Sequence, residues 1–407
     1  MKNILFVLPF FPFPLESGGH QAIFNGIIAV KDYANIFITY NGGRKDIYKK
    51  YHKEFKKEFP NKNIKIIPYT EQINHLSRKE IYNKICNKIS NICISSTEID
   101  NFNQYIKTDL QNDAYYSFIN DIIKEYSIDI VQIEMNSHID LVLTLPSHIK
   151  KIFVHHELRF VRNQLYLSTC NTTHYKKALV ELEYVKEIYL LNKYDLIITL
   201  SSIDKDKLIQ NGVKVPIHTS FAVVKSQEYI KHPCHYNKTL SFIGPETHEP
   251  NKIGLEWFLT NCWSILKNKD SSYQLHIIGK WSKNTSIEWC KKYKDIKFLG
   301  YVPNLLDAIN NTTMIVPITI GSGIRMKILE AMSNKIPFVS THIGAEGIPV
   351  INGKNCFLTD DYNEFANSIL KLEDNNIRNE FKESSYRIIK EQYSLEALTN
   401  NRMQLYK

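Results

Sequence analysis

Long apolar runs are missing from this 407-residue chain. No stretch reaches the roughly 18 consecutive apolar residues that a transmembrane helix requires. The most apolar stretch near the N-terminus, Ile4 to Phe13, is interrupted by Pro9 and Pro12, and no small-residue cleavage site follows it. We therefore expect a strand and its loop at this point rather than a signal peptide.

Paired cysteines and concentrated charge are also missing. The seven cysteines are odd in number and have no CxxC or paired-histidine spacing, which indicates reduced thiols in a cytoplasmic protein and offers no zinc ligand set. The net charge of +9 is spread along the chain, and no reader helix or basic aromatic motif accompanies it. We expect no nucleic-acid partner, because an anionic lipid or a phosphorylated substrate explains this charge equally well.

The length of the chain is comfortable for two domains, each with its own core. Apolar runs alternate with helical patterns from Asn3 onward, and the alternation starts again at Thr239. A polar, aperiodic segment at 223–238 lies between the two series and predicts a linker. The sequence therefore predicts an α/β protein with two doubly wound sheets.

The most informative segment runs from Met314 to Gly347 and has the sequence MIVPITIGSGIRMKILEAMSNKIPFVSTHIGAEG. Two apolar runs flank a glycine-bearing loop and a helical pattern, which predicts a strand-loop-helix-strand unit. Gly321 and Gly323 let backbone amides approach a ligand closely, and the start of the helix adds unpaired N–H groups. This combination suits an anion.

Two cations fall in the first turn of this predicted helix, where the helix dipole disfavours each by about 0.3–1 kcal/mol. Arg325 and Lys327 therefore predict a bound diphosphate that compensates them, and Glu330 is placed to accept hydrogen bonds from ribose or sugar hydroxyls. The alternative is a surface ion pair between Lys327 and Glu330, with glycines that merely turn the chain.

The same segment resembles the donor site of retaining glycosyltransferases of the family 4 type, the group 1 glycosyl transferases, which have the two-domain GT-B fold. Many members carry two glutamates eight positions apart; Glu330 matches the second, and Ser322 stands in place of the first. A subgroup with Gly-x-Gly-x-Arg-x-Lys and a later Gly-Ala-Glu-Gly is more similar, as in residues 344–347 here. The donor-binding residues that this resemblance implies in the segment are Gly321, Ser322, Gly323, Ile324 and Glu346.

Two other glycine loops follow predicted first strands. Gly18 and Gly19 precede a helix predicted from about Gln21, and Gly244 ends the strand that starts at Thr239. Similar transferases usually have a Gly-Gly pair that approaches the donor phosphate or the acceptor, so the resemblance adds these three glycines to the donor site. A turn without a ligand is the alternative for Gly18 and Gly19.

Two adjacent histidines stand at the carboxyl end of the strand predicted at Ile152 to His155, where ligands gather in open α/β sheets. Similar transferases contact the transferred sugar with a histidine here, and the residue before Glu157 fits best, which implies His156. His155 is the alternative, because neighbouring side chains on a strand face opposite sides.

Cations outnumber anions by nine to three from Arg44 to Lys65, and aromatic residues recur there at four-residue spacing. This pattern predicts an amphipathic basic helix whose apolar stripe packs on the sheet. Contact with an anionic membrane surface is the alternative role.

The resemblance implies a metal-independent enzyme that moves a sugar, with retention, from a nucleotide-diphosphate sugar to a glycan or lipid-linked acceptor of a bacterial capsule or lipopolysaccharide. It implies two Rossmann-like domains that face a central cleft: an acceptor domain at 1–225, a donor domain at 226–385, and a C-terminal helix at 386–407 that packs back on the first domain. The catalytic residues implied are His156, Arg325, Lys327 and Glu330. A nucleotide-sugar epimerase of the same fold and a non-catalytic nucleotide-sugar-binding protein are the alternatives, the latter because of Ser322.

Overall fold

A computed structural model of the chain describes residues 1–15, 17–43, 46–60, 64–70, 97–108, 110–223 and 236–406, with only the backbone at 97–100. Eight strands form the first sheet: β1 Lys2–Leu8, β2 Ala34–Gly43, β3 Ile64–Ile66, β4 Tyr69–Thr70, β5 Ile130–Glu134, β6 Lys150–His155, β7 Leu196–Thr199 and β8 Ile217–Thr219. Six strands form the second: β9 Thr239–Ile243, β10 Gln274–Ile278, β11 Ile296–Gly300, β12 Thr313–Val316, β13 Phe338–Ser340 and β14 Phe357–Leu358.

Helices connect the strands of each sheet. In the first half they are α1 Gly18–Ile28, α2 His52–Lys57, α3 Thr97–Ile106, α4 Asp113–Glu125, α5 Arg159–Thr169, α6 His174–Leu191 and α7 Ser202–Gln210. In the second half they are α8 Glu249–Trp257, α9 Trp263–Lys269, α10 Lys283–Lys292, α11 Leu305–Ile309, α12 Met326–Ser333, α13 Tyr362–Lys371, α14 Asn375–Gln392 and α15 Leu395–Met403. A π-helical turn at Phe258–Cys262 joins α8 to α9, and 3-10 turns lie at Lys49–Tyr51, Asn136–Leu143 and Gln404–Tyr406.

Both sheets are parallel and doubly wound, which confirms the predicted fold class. The strand orders are β3-β2-β1-β5-β6-β7-β8, with β4 beside β2, and β11-β10-β9-β12-β13-β14. In each sheet the winding reverses beside the first strand, between β1 and β5 and between β9 and β12. Such reversal points open a crevice at the carboxyl ends of the strands, which is where open α/β sheets bind ligands.

The central strands are apolar on both faces because helices cover both faces of a parallel sheet. Residues 4–8 of β1 are fully buried and supply the two core clusters of the first half in alternation. One of these clusters also contains Met314 and Ile328 from the second half, so a single apolar core joins the two sheets.

Residues after Ser394 contact the first sheet. Asn401 Nδ2 donates to the carbonyl of Thr219, and Arg402 Nε donates to Ser220 Oγ at 2.9 Å. Lys150 Nζ, at the start of β6, donates to the carbonyl of Leu405 at 2.8 Å. The C-terminal helix therefore lies on the half of the chain that carries β1.

Several predicted boundaries are wrong for local reasons. α1 begins at Gly18 rather than near Gln21, because the Ser17 hydroxyl caps it by accepting the His20 N–H. α8 begins at Glu249, where Pro250 suits the first turn of a helix. The short strands β4, β8 and β14 carry too few apolar residues to stand out in the sequence.

The basic helix predicted from Arg44 to Lys65 is shorter than expected: within the described residues of this range, a 3-10 turn at Lys49–Tyr51 runs directly into the six-residue α2, and Ile64 already belongs to β3. Residues 44–45 and 61–63 lie outside the described residues, as do 71–96 and most of the predicted linker at 224–235. Phe55 and Phe59 are buried in the first core, which favours the packing role of the apolar stripe. No helix in the described part of the chain is long and apolar enough to cross a membrane.

Arg378 on α14 joins that helix to the strand that carries the candidate site. Its buried guanidinium donates to Thr313 Oγ1 at the start of β12 and to the carbonyls of Thr312 and Leu372. Replacement by Met should lower the free energy of unfolding by about 3 kcal/mol, because three buried acceptors lose a charged donor. Denaturant titration measures this effect, and R387M, an exposed position on the same helix, should stay near the wild-type value.

Candidate active site

The glycine loop between β12 and α12 lies directly against the end of β6. Gly321 and Gly323 have φ values of +116° and +79°, a backbone conformation that other residues rarely adopt. A Cβ on Gly323 would lie 2.2 Å from the carbonyl oxygen of His156. Only glycine fits at this position, and it is here that the backbone of the second half of the chain touches the backbone of the first.

Arg325 is the residue directly before the first turn of α12, and its side chain is buried. One guanidinium nitrogen, Nη1, donates to the carbonyls of Ser322 and Gly323, which braces the loop. The other donors, Nε and Nη2, have no partner although the residue is only 8% exposed. Burial lowers the pKa of Arg325, and the negative charge of Glu157 is the strongest influence in the opposite direction. Two unpaired donors on a buried cation are costly, and an anion would satisfy both.

Lys327 and Glu330 do not pair with one another. Lys327 Nζ donates to Asn251 Oδ1 at 2.7 Å and lies 4.5 Å from the ring centre of Phe242. Glu330 Oε1 accepts from Gln21 Nε2, on α1, at 2.6 Å. Burial lowers the pKa of Lys327 to about 7 and raises that of Glu330 to about 7. The surface ion pair considered as an alternative is therefore not the arrangement in the structure.

Two other predicted donor-binding residues, Ser322 and Glu346, lie in contacts between the two halves. The buried Ser322 hydroxyl donates to the carbonyl of Leu158 at 3.0 Å, so it is engaged by the protein. Glu346 forms an ion pair with Lys207 of α7. Ile324 lies near Gly347, where an added Cβ would be 3.0 Å from Ile324 Cδ1.

The predicted glycines after β1 and β9 lie at the same junction, the region where the 321–323 loop and the start of α12 meet the first half of the chain. A Cβ on Gly18 would be 2.5 Å from Cβ of Met326, so the first residues of α1 and α12 touch. Gly19 packs within the first half, where Met135 Cε would lie 2.9 Å from an added Cβ. Gly244 has φ of +152° and packs against the side chain of Asn251, the partner of Lys327.

The two histidines face opposite sides, as their adjacency predicts. His156 Nε2 lies 2.6 Å from Glu134 Oε2 at the end of β5, and its backbone contacts the glycine loop. His155 is fully enclosed and bonds through Nε2 to Glu187 of α6 at 2.9 Å. Of the pair, His156 is the one whose backbone is shown against the loop, at Gly323.

Several residues of this junction were not found from the sequence. Glu157 accepts from Arg162 Nη1 at 3.3 Å, and the Arg162 guanidinium stacks 4.2 Å from the ring centre of Tyr105. Burial alone would raise the pKa of Glu157, but neighbouring cations, Arg162 foremost, lower it. An acidic residue directly after the histidine pair, with an arginine one turn later, is a signal that could have found Glu157 and Arg162. Gln21 and Asn251 carry no such local signal.

The junction concentrates cations around two loops and two helix N-termini, so it can hold an anionic group between the halves of the chain. Among the residues that the structure describes, no three His, Cys, Asp or Glu side chains come together as a metal site would need.

Comparison with known proteins agrees with this architecture. Residues 237–375 match the family model described as Glycosyl transferases group 1. A curated relative, "Uncharacterized 44.6 kDa protein in cps region" from Klebsiella pneumoniae, is 27% identical over 344 residues, which cover 75% of this chain and 87% of the relative.

Solved structures match over the whole chain. TarM superposes with a TM-score of 0.71 at 14% identity, over 100% of this chain and 99% of its own. Anabaena Alr3699/HepE in complex with UDP and glucose superposes with a TM-score of 0.69 at 13% identity, over 100% and 99% of the two chains. These matches confirm the GT-B fold, and residues 237–375 are similar to the group 1 glycosyl transferases.

Proposed function

We propose that the chain is a retaining glycosyltransferase whose donor is a UDP-sugar, and that the donor diphosphate binds between the 321–323 loop and the start of α12. The observation that carries this proposal is the buried Arg325 guanidinium, whose Nε and Nη2 donors lack partners. A diphosphate would satisfy both with charge-assisted hydrogen bonds, and it would also gain from the backbone N–H groups at the helix N-terminus. UDP is the nucleotide in the HepE complex and in the complex of a mutant of S. aureus TarM.

The remaining predicted residues receive roles from their positions. Lys327 would offset charge on the diphosphate, and Glu330, held by Gln21, would accept hydrogen bonds from the ribose. His156 would lie beside the transferred sugar, because its backbone touches the loop that holds Arg325. Gly18, Gly19 and Gly244 would leave room for the donor where α1, α8 and α12 converge.

In the proposed reaction the bond between the anomeric carbon and the diphosphate oxygen breaks as the acceptor hydroxyl attacks from the same face. The acceptor proton passes to a phosphate oxygen, so no protein nucleophile is required. Negative charge grows on the diphosphate, which is where Arg325 and Lys327 would stabilise the transition state without a metal ion.

We infer that the acceptor is a glycan or a lipid-linked glycan of a bacterial surface polysaccharide. The support is the relative from a cps region of Klebsiella pneumoniae, which favours a capsule over a lipopolysaccharide. A cytoplasmic location is consistent with the free thiols of Cys170, Cys262, Cys290 and Cys356. Peripheral contact with an anionic membrane stays a prediction.

Replacing Arg325 with Met should weaken UDP binding by roughly tenfold to hundredfold, because each charge-assisted hydrogen bond contributes about 1.5–3 kcal/mol. Titration calorimetry with UDP measures this change. R325K tests the fork geometry, since lysine keeps the charge without the paired donors. K283M is the matched control, because Lys283 is an exposed cation in the first turn of α10. Wild-type affinity in R325M would remove Arg325 from the donor site.

UDP affinity should fall by at least a few-fold as the pH rises from about 7 to about 8.5. The lowered pKa of Lys327 and the raised pKa of Glu330 both lie at about 7. Raising the pH through this value removes a positive charge and adds a negative one, while the diphosphate is already ionised. Calorimetry in two buffers with different protonation heats should therefore detect proton uptake on binding. An affinity that is constant over this range would contradict the assignment.

Replacing His156 with Ala should lower kcat by roughly tenfold to hundredfold while UDP affinity stays within a few-fold. The reason is that a group beside the transferred sugar matters most as that sugar gains positive character. Steady-state UDP release from the preferred UDP-sugar gives kcat, and calorimetry gives the affinity. H174A, at an exposed histidine that starts α6, is the control. An unchanged kcat in H156A would end the proposed role.

A further inference from the structure

A line of buried polar side chains crosses the first sheet from the C-terminal turn to the candidate active site. The Tyr406 hydroxyl donates to Gln132 Oε1, and Gln132 Nε2 donates to Glu134 Oε1 at 2.5 Å. The other carboxylate oxygen, Glu134 Oε2, lies 2.6 Å from His156 Nε2. Four side chains from three separate parts of the chain thus form one continuous hydrogen-bonded series.

This series occupies a position where the fold calls for apolar residues. Gln132 and Glu134 are 0% and 1% exposed and lie on the same face of β5 as Ile130, which belongs to the apolar core. Buried polar groups of this kind cost free energy unless they are fully hydrogen-bonded, and a hydrocarbon pair would pack there without that cost. Each member of the series is bonded to the next, so the arrangement is specified in detail.

We propose that Tyr406 is a positioning residue for His156 and acts through Gln132 and Glu134. The inference rests on the proposed role of His156 beside the transferred sugar. A hydrogen bond from Nε2–H to Glu134 sets the ring orientation and the tautomer, so that Nδ1 is the nitrogen left for the substrate. The orientation of Glu134 depends in turn on the hydrogen bond that its second oxygen, Oε1, accepts from Gln132.

The hydroxyl of Tyr406 completes the series. The Glu134 carboxylate only accepts hydrogen bonds, so the Gln132 amide directs Nε2 toward it and Oε1 the other way. Tyr406 donates to that oxygen and holds the amide in place. Without the hydroxyl, Gln132 Oε1 would lose this donor in a buried position, and the amide that orients Glu134 would be held less tightly.

The C-terminal turn is anchored to the strand that leads to His156. Lys150, the first residue of β6, donates to the carbonyl of Leu405, and Arg402 donates to Ser220. Tyr406 is 5% exposed, and burial raises the pKa of its phenol to about 12, so the group is a donor at neutral pH. The position of the turn is therefore set by the same strand whose end carries the histidine.

The test uses the full chain with Tyr406 replaced by Phe, which deletes one hydroxyl. We expect kcat for UDP release from the preferred UDP-sugar to fall roughly threefold to tenfold with an unchanged UDP affinity. Y393F is the matched control, because Tyr393 is fully buried near the same helix and its hydroxyl has no hydrogen-bond partner. It should keep the wild-type kcat.

A double variant separates positioning from general loosening. In an H156Q background, Y406F should have no further effect on kcat. Ring-nitrogen NMR of histidine-labelled protein, with the His156 signal assigned by its loss in H156Q, should show that signal displaced in Y406F and unmoved in Y393F. An unmoved His156 signal, or equal losses of kcat in both backgrounds, would overturn the proposal. An unchanged kcat in H156Q would instead refute the proposed role of His156 itself.

Discussion

The approach of two backbones at Gly323 is the constraint on which the rest of the site depends. The loop after β12 and the end of β6 come so close that a single methyl group at this position would meet the carbonyl oxygen of His156. Arg325, the side chain proposed to bind the anion, lies two residues from this contact, and the candidate catalytic histidine is part of it. One close approach therefore sets the distance between the group that would hold the leaving diphosphate and the group that would face the sugar.

Buried charged groups, some without hydrogen-bond partners, surround that contact. Arg325 retains two free donors, and burial brings the pKa values of Lys327 and Glu330 toward each other. Such arrangements lower the stability of the ligand-free protein, and they are found most often at functional sites. The Gly244 loop adds to this, because its close packing on Asn251 aims an amide oxygen at Lys327.

Local sequence predicted the parts of the site that local sequence determines. The strand-loop-helix pattern around Gly321 and Arg325 can be predicted from periodicity and turn residues alone. His155 and His156 are neighbours on a strand, so the sequence also predicts that their side chains point to opposite faces. The partners of these residues could not be predicted, because they arrive through the fold. Gln21 and Glu330 are 309 residues apart in sequence, and Tyr406 and Gln132 are 274 apart. Ser322 aligns with a family glutamate, yet only the packing of the two halves reveals that its hydroxyl is engaged by Leu158.

The contact between Gly18 and Met326 brings the N-termini of α1 and α12 to one point. Each helix end carries roughly half a positive charge, so the two halves of the chain repel one another at this point. An anion placed between them would turn this repulsion into two attractions. Binding of the proposed nucleotide and association of the two halves would then be coupled, and each would strengthen the other by the same factor.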